Sequence, residues 1–146
     1  MAQISSISSG EAMSTVRTKL NNVITEINLL DPTDWVDYSA TSTIVGWSSF
    51  TNKQIRYRII GKQLIVQVFL QGTSNSTATT FTVPNNCVNI LSIISNYGIN
   101  NGASQNQSYF QSAVNSNVIS CLQSGTATWT ASGTKAVIGQ FFIEIA

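Results

Sequence analysis

The chain reads as a mainly β protein in which an N-terminal coiled-coil helix precedes a jelly-roll-like antiparallel β-sandwich. Three observations predict this. Residues 41–146 break into short runs of alternating apolar and polar residues, separated by Gly, Asn and Ser clusters, which is the signature of half-buried strands joined by turns. Ahead of them, Met13, Val16, Leu20, Val23, Ile27 and Leu30 recur at spacings of three and four, the period of an apolar helical stripe. Finally, only 9 % of residues are charged, against roughly 25 % in soluble proteins, while Ser, Thr, Asn and Gln supply 60 of the 146. Disorder usually pairs low hydrophobicity with high net charge. Here 42 % of residues are apolar and the net charge is +1, so a folded chain with a neutral, hydroxyl- and amide-rich surface is expected.

Four segments make up the chain. Residues 1–10 are small and polar around Ile4 and Ile7, too short a pattern to fold alone. They suit a docking peptide ordered on a partner, with a frayed terminus as the alternative. Residues 11–30 form the helix. Ser8 and Glu11 match the S-x-x-E capping box, and Asp31-Pro32 ends the element because proline disfavours helical geometry in the residue before it. Ile24 widens the apolar stripe, which suits three helices better than two. The competing reading packs the helix on its own domain, but no second helix is available to pair with it. At roughly 30 Å for about twenty residues the coil is marginal alone and needs the β region after it to associate as well. Residues 31–42 are a linker, and 43–146 the β knob.

The clearest β element is Gln54–Ile60, Gly61-Lys62 and Gln63–Phe69. A Gly-X pair between alternating runs predicts a two-residue type II′ hairpin. Pairing across it sets Ile59 opposite Leu64, Tyr57 opposite Val66 and Ile55 opposite Val68, giving one apolar face. Arg56 and Arg58 share the other face with Gln67 and Ile65. Gly72 to Ala78 reads as a polar loop and 79–83 as a strand closed by Pro84. Further strands are expected at 87–97, 107–114, 117–123, 126–132 and 135–145, the last with Val137, Phe141, Ile143 and Ile145 on one face.

Chemistry is hard to find. With no His, the commonest general base and metal ligand is absent, and no Ser-His-Asp or Cys-His arrangement can form within the chain. Of the carboxylates Glu11, Glu26, Asp31, Asp34, Asp37 and Glu144, only Glu144 lies within the β zone. A glycosidase needs two facing carboxyl groups, so an enzyme would require Glu144 to meet Asp34 or Asp37 of a neighbouring subunit. Asp31, Asp34 and Asp37 lack the glycine turn and bidentate Glu of a calcium loop. Gly-rich phosphate loops are missing as well. No enzyme activity, cofactor or metal is expected.

Every charge lies before Gln63 or after Thr134, so clustered Lys and Arg for phosphate neutralisation are lacking and nucleic acid is not an expected partner. No apolar run is long enough to insert in a membrane. The first residues lack a signal-peptide pattern, so the mature protein is expected to start where the gene does. That also removes significance from the sequons at Asn75 and Asn106. Cys87 and Cys121 read as small core thiols, although spacing alone leaves a bridge open.

Aromatic residues remain as functional candidates. Trp35, Trp47, Trp129, Tyr97 and Tyr109 could stack on sugars if exposed. Tyr97 and Tyr109 flank an expected loop, Gly98 to Gln107, built almost wholly of Asn, Gln, Gly and Ser. Amides beside aromatic rings are what neutral-glycan recognition uses, so Tyr97, Tyr109, Asn100, Asn101 and Gln105 are the candidate glycan contacts. Arg56 and Arg58 could hold an anion, though outward strand arginines usually serve to keep a sheet soluble.

Two stretches carry a family resemblance. Gly10-Glu11 followed by Val16-Arg17-Thr18-Lys19-Leu20-Asn21-Asn22-Val23-Ile24 resembles the short helix ahead of phage fibre knobs. Tyr57–Val66, Gly72–Thr77 and Phe81-Thr82-Val83-Pro84 resemble the β core of such knobs. Together they make up 31 of the 146 residues, spread between Gly10 and Pro84, and through them the chain is similar to the fibre proteins of tailed bacteriophages. The resemblance implies a structural, non-enzymatic virion-surface protein assembled in the host cytoplasm. It also implies a homotrimer zipped through the helical stripe, a docking N-terminus (Ile4, Ile7) bound to other virion proteins, and a knob that contacts host-surface glycan. The chain lacks the long shaft of tail fibres, which favours a capsid (head) fibre. A tail-fibre receptor-binding protein and a stand-alone bacterial lectin or adhesin are the alternatives, and the latter would need export.

Overall fold

Alternation along the chain builds the central hairpin. Strands β3 (Trp47–Ile60) and β4 (Gln63–Ser74) pair in antiparallel fashion with Ile59 opposite Leu64, Tyr57 opposite Val66 and Ile55 opposite Val68. The register is the one expected from the sequence. Gly61 at the turn has φ +58°, as the first central residue of a II′ turn requires. On β4 every second side chain (Leu64, Val66, Val68, Leu70) is buried, each worth about 1.5–3 kcal/mol of transfer free energy.

The structure, a computed structural model, describes residues 10, 12–30, 34–86, 91–123 and 127–145; the side chains of 26–30, 91–96 and 105–107 are not part of that description. The remaining elements are helix α1 (Met13–Leu30) and strands β1 (Val36–Asp37), β2 (Ile44–Val45), β5 (Thr80–Thr82), β6 (Leu91–Asn100), β7 (Ala103–Ser112), β8 (Val118–Gln123) and β9 (Thr134–Glu144). Among the described residues hydrogen bonds link nine strands in the order β1-β3-β4-β9-β6-β7-β8-β5-β2, with every pairing antiparallel.

That ladder curls into two layers. Phe81 of β5 lies four places from β9 in the strand order, yet its ring centroid is 6.1 Å from Phe141 of β9 and 5.9 Å from Phe110 of β7. Phe110 and Phe141 complete the trio at 4.7 Å. The inward residues of β4, β5, β7, β8 and β9 form one core around these rings.

Several boundaries depart from the sequence reading. The expected loop from Gly98 to Gln107 is mostly strand. β6 runs to Asn100 and β7 starts at Ala103, and only Asn101 and Gly102 turn, with φ +52° and +79°. Positive φ at both positions is a type I′ turn, and Asn-Gly is its preferred pair. The expected strand at 126–132 is not one: 127–130 is irregular and 131–133 bends. Its backbone is held by side chains instead of a ladder. The expected linker 31–42 contributes β1, in which Val36 pairs with Tyr57 and Asp37 with Arg56. Ser39 caps this edge, its hydroxyl accepting from the Ile55 N–H at 2.8 Å. The capping box falls outside the described residues.

Along α1 the stripe finds no cover among the described strands. Met13, Leu20 and Ile24 are 78, 52 and 48 % exposed, and none of the described side chains of the helix belongs to the core. Val16 and Val23 are half-buried. The Thr18 and Thr25 hydroxyls donate to the carbonyls of Ser14 and Asn21, four residues back, so they are satisfied within the helix.

Candidate functional site

Strand β9 begins with a lysine on its inward face. Lys135 shares the parity of Val137, Phe141 and Ile143 and is fully buried. Its Nζ donates to the carbonyls of Ser76 (2.6 Å) and Gly46 (3.2 Å) and to the Thr79 hydroxyl (2.9 Å). It also lies 5.3 Å from the Trp47 ring centroid and 5.6 Å from that of Trp129. Burial draws its pKa down to about 8, while the neighbouring Cys121 pulls it back up. The ammonium still carries its charge at neutral pH, where three oxygens and two indole faces receive it. Burial likewise pushes the Cys121 thiol well above its ordinary range, so it is a neutral core group.

This lysine anchors three segments that have little ladder of their own. Trp47 Nε1 donates to the Lys135 carbonyl (3.2 Å), and Trp129 Nε1 to that of Cys121 (2.8 Å). The irregular segment 127–133 is clamped from both sides. Asn100 donates from Nδ2 to the Thr128 carbonyl (3.1 Å), and its Oδ1 accepts from the Thr130 N–H and hydroxyl (2.9 Å each). On the other side, the Ser74 hydroxyl donates to the Thr130 carbonyl at 2.6 Å. The segment is therefore positioned as firmly as a strand would be.

Beside it lies an open cleft of about 410 Å³ lined by Thr77, Tyr109, Leu122, Gln123, Thr128 and Trp129. Tyr109 is half-buried, Gln123 is 5 % exposed, and the Gln123 Nε2 is buried with no acceptor among the described residues. The half-buried Tyr109 ring and the threonine hydroxyls, with no charge among these six, can bind a neutral sugar through stacking and adaptable hydrogen bonds.

The other predicted glycan contacts do not join it. Tyr97 is 44 % exposed on the outer face, its hydroxyl sharing a 2.8 Å hydrogen bond with that of Ser104. Asn100 holds the 127–133 segment, and Asn101 forms the turn. The side chain of Gln105 lies outside the described residues. Trp47 and Trp129 are 7 and 3 % exposed, so they are cage walls and not open platforms. In the trimer set, Met13, Val16, Leu20 and Val23 lie on α1 as expected. The side chains of Ile27 and Leu30, and all of Ile4, Ile7 and Cys87, lie outside the described residues.

Lys135 was the residue that sequence reasoning missed, and its signal was available: the strand parity that turned Val137 inward turned Lys135 inward too. Among the described residues no helix is long and apolar enough to cross a membrane. No protein-family model, curated protein or solved structure matches the chain.

Proposed function

We propose that this chain is the subunit of a short homotrimeric fibre on a bacteriophage particle, borne on the capsid, with a coiled-coil stalk and a jelly-roll-like knob that touches host-surface glycan. The observation that carries the reading is the uncovered apolar stripe of α1. Leu20 and Ile24 stand about half exposed beside half-buried Val16 and Val23 on a helix that no described strand covers. An eighteen-residue helix is marginal in water without packing of its apolar face, and copies of itself offer a matching surface. The resemblance of α1 and of the β3–β4 region to phage fibres points the same way, and residues 1–10 then serve as the docking segment. Display of many copies lets weak glycan contacts at the Tyr109 cleft hold a particle through avidity.

Sedimentation of the full chain against the Leu20→Gln/Val23→Gln variant tests this. Wild type runs as three copies, and the variant runs as fewer while keeping its β circular dichroism. A wild-type chain that sediments as one copy at micromolar concentration sinks the proposal.

A further inference from the structure

The geometry points to a second binding site at Trp35, Arg56 and Arg58, one that takes the oxyanion of an acidic host-surface polysaccharide, whether carboxylate, sulfate or phosphate. It rests on the adhesive part of the fibre reading and names a ligand class for it.

Alternation along β3 turns Arg56 and Arg58 to the same outer face. Both guanidinium carbons lie 5.1 Å from the centroid of the Trp35 ring, so they are within about 10 Å of each other, inside roughly one Debye length at moderate salt. Two like charges on one indole repel, and the ring quadrupole offsets that only partly. The carboxylate nearest in register forms no ion pair with them. Asp37 faces Arg56 across the strand pair, yet its carboxylate accepts the Ser39 N–H at 2.8 Å. Among the described residues neither arginine forms an ion pair.

The two side chains are held differently. Arg56 Nε donates to Gln67 Oε1 (2.7 Å), and Gln67 Nε2 donates to Gln140 Oε1 (2.7 Å), an amide relay across three strands that fixes the guanidinium. Arg58 Nε is covered from water and has no acceptor among the described residues. That nitrogen has lost hydration without gaining a hydrogen bond in exchange, which leaves the fork's charge less compensated for an anion reaching its other nitrogens. Planar forks of this kind match carboxylate, sulfate and phosphate oxygens in pairs.

The same cross-strand row supplies an apolar platform. Arg58 pairs with Ile65, and Ile65 with Phe142, which is 58 % exposed. Two strand spacings, roughly 10 Å, separate arginine from phenylalanine. An oligosaccharide can lay an acidic group over the arginines and a neighbouring ring on Phe142. The ligand is thus a charged sugar chain and not a free ion.

Biolayer interferometry of the full chain tests this on immobilised hyaluronan (carboxylate), heparin (sulfate) and phosphomannan (phosphate), with dextran as the neutral control. Wild type should bind at least one acidic polymer and not dextran, and the polymer bound identifies the oxyanion. Arg56→Gln/Arg58→Gln should weaken that binding about tenfold or more. Lys53→Gln/Lys62→Gln, which removes two other exposed cations of the same hairpin, should change it less than about twofold. Phe142→Ser should weaken it while leaving the sedimented mass unchanged. The inference is overturned if no acidic polymer binds, if dextran binds equally, or if the lysine variant loses as much as the arginine variant. It is also overturned if Phe142→Ser alters the mass, since the face would then be a subunit contact. A trimer that ignores all three polymers sinks this site and leaves the fibre reading standing.

Discussion

Replacing Lys135 with methionine probes the anchor of the β body. Methionine keeps the apolar stem and deletes the charge. Of the three oxygens the ammonium satisfies, the Gly46 carbonyl keeps the Asn75 N–H at 3.2 Å, and the Thr79 hydroxyl can rotate. The Ser76 carbonyl is left facing the Ser74 hydroxyl at 3.5 Å, whose one proton goes to the Thr130 carbonyl at 2.6 Å. A stranded carbonyl costs about 1–3 kcal/mol, and two lost cation–ring contacts about 1 kcal/mol each. Release from burying an ammonium returns part of that. The net expectation is a loss of about 2–3 kcal/mol, or roughly 5–10 °C in Tm for a chain of this size. Thermal melts at one fixed protein concentration measure it, because association shifts Tm by mass action. A variant as stable as wild type, or more so, would refute the reasoning, since desolvation would then outweigh everything the cage supplies.

The pH dependence of that same difference has a definite sign. The folded Lys135 pKa of about 8 lies below its ordinary 10.5, so between those values the unfolded chain binds more protons and wild type gains stability as pH rises. Cys121, with its folded pKa raised, acts oppositely above its ordinary 9, but it does so in both proteins. Chemical denaturation should therefore show the gap between wild type and Lys135→Met widening by about 1–2 kcal/mol from pH 7.5 to pH 9.5; a constant gap would mean the ammonium is not desolvated. Gly72→Ala places a methyl against the Ser49 carbonyl oxygen and 2.9 Å from Phe50 Cα, where β3 carries its bulge. It should cost about 3 kcal/mol or prevent folding, and a melt within about 1 kcal/mol of wild type would contradict the close approach.

Legibility in the sequence followed the strength of local signals. The β3–β4 hairpin could be read to the residue because its alternation and its Gly-Lys turn agree. The inner end of the β6–β7 hairpin was hidden by composition: Ser, Asn and Gln dominate 98–107, so the strand ends there resembled a loop even though Asn101-Gly102 is a strong turn signal. Segment 126–132 looked like a strand because Thr and Trp favour β structure, but its hydrogen bonds go to Asn100 and Ser74, which are distant in sequence. The Tyr109 cleft and the Arg56–Trp35–Arg58 stack were out of reach for the same reason. Tyr109 meets Thr77 and Thr128, and Trp35 meets Arg56 and Arg58, only once the ladder has formed. Lys135 was readable from parity, but a lone lysine is usually solvated.

Hydrogen exchange along α1 bears most directly on whether its stripe is buried between copies. If it is, the amides from Val16 to Val23 exchange slowly at high micromolar concentration and lose protection on dilution, while those of β4 and β9 stay protected. Protection that does not change with concentration, or free exchange at every concentration, would contradict the trimeric stalk.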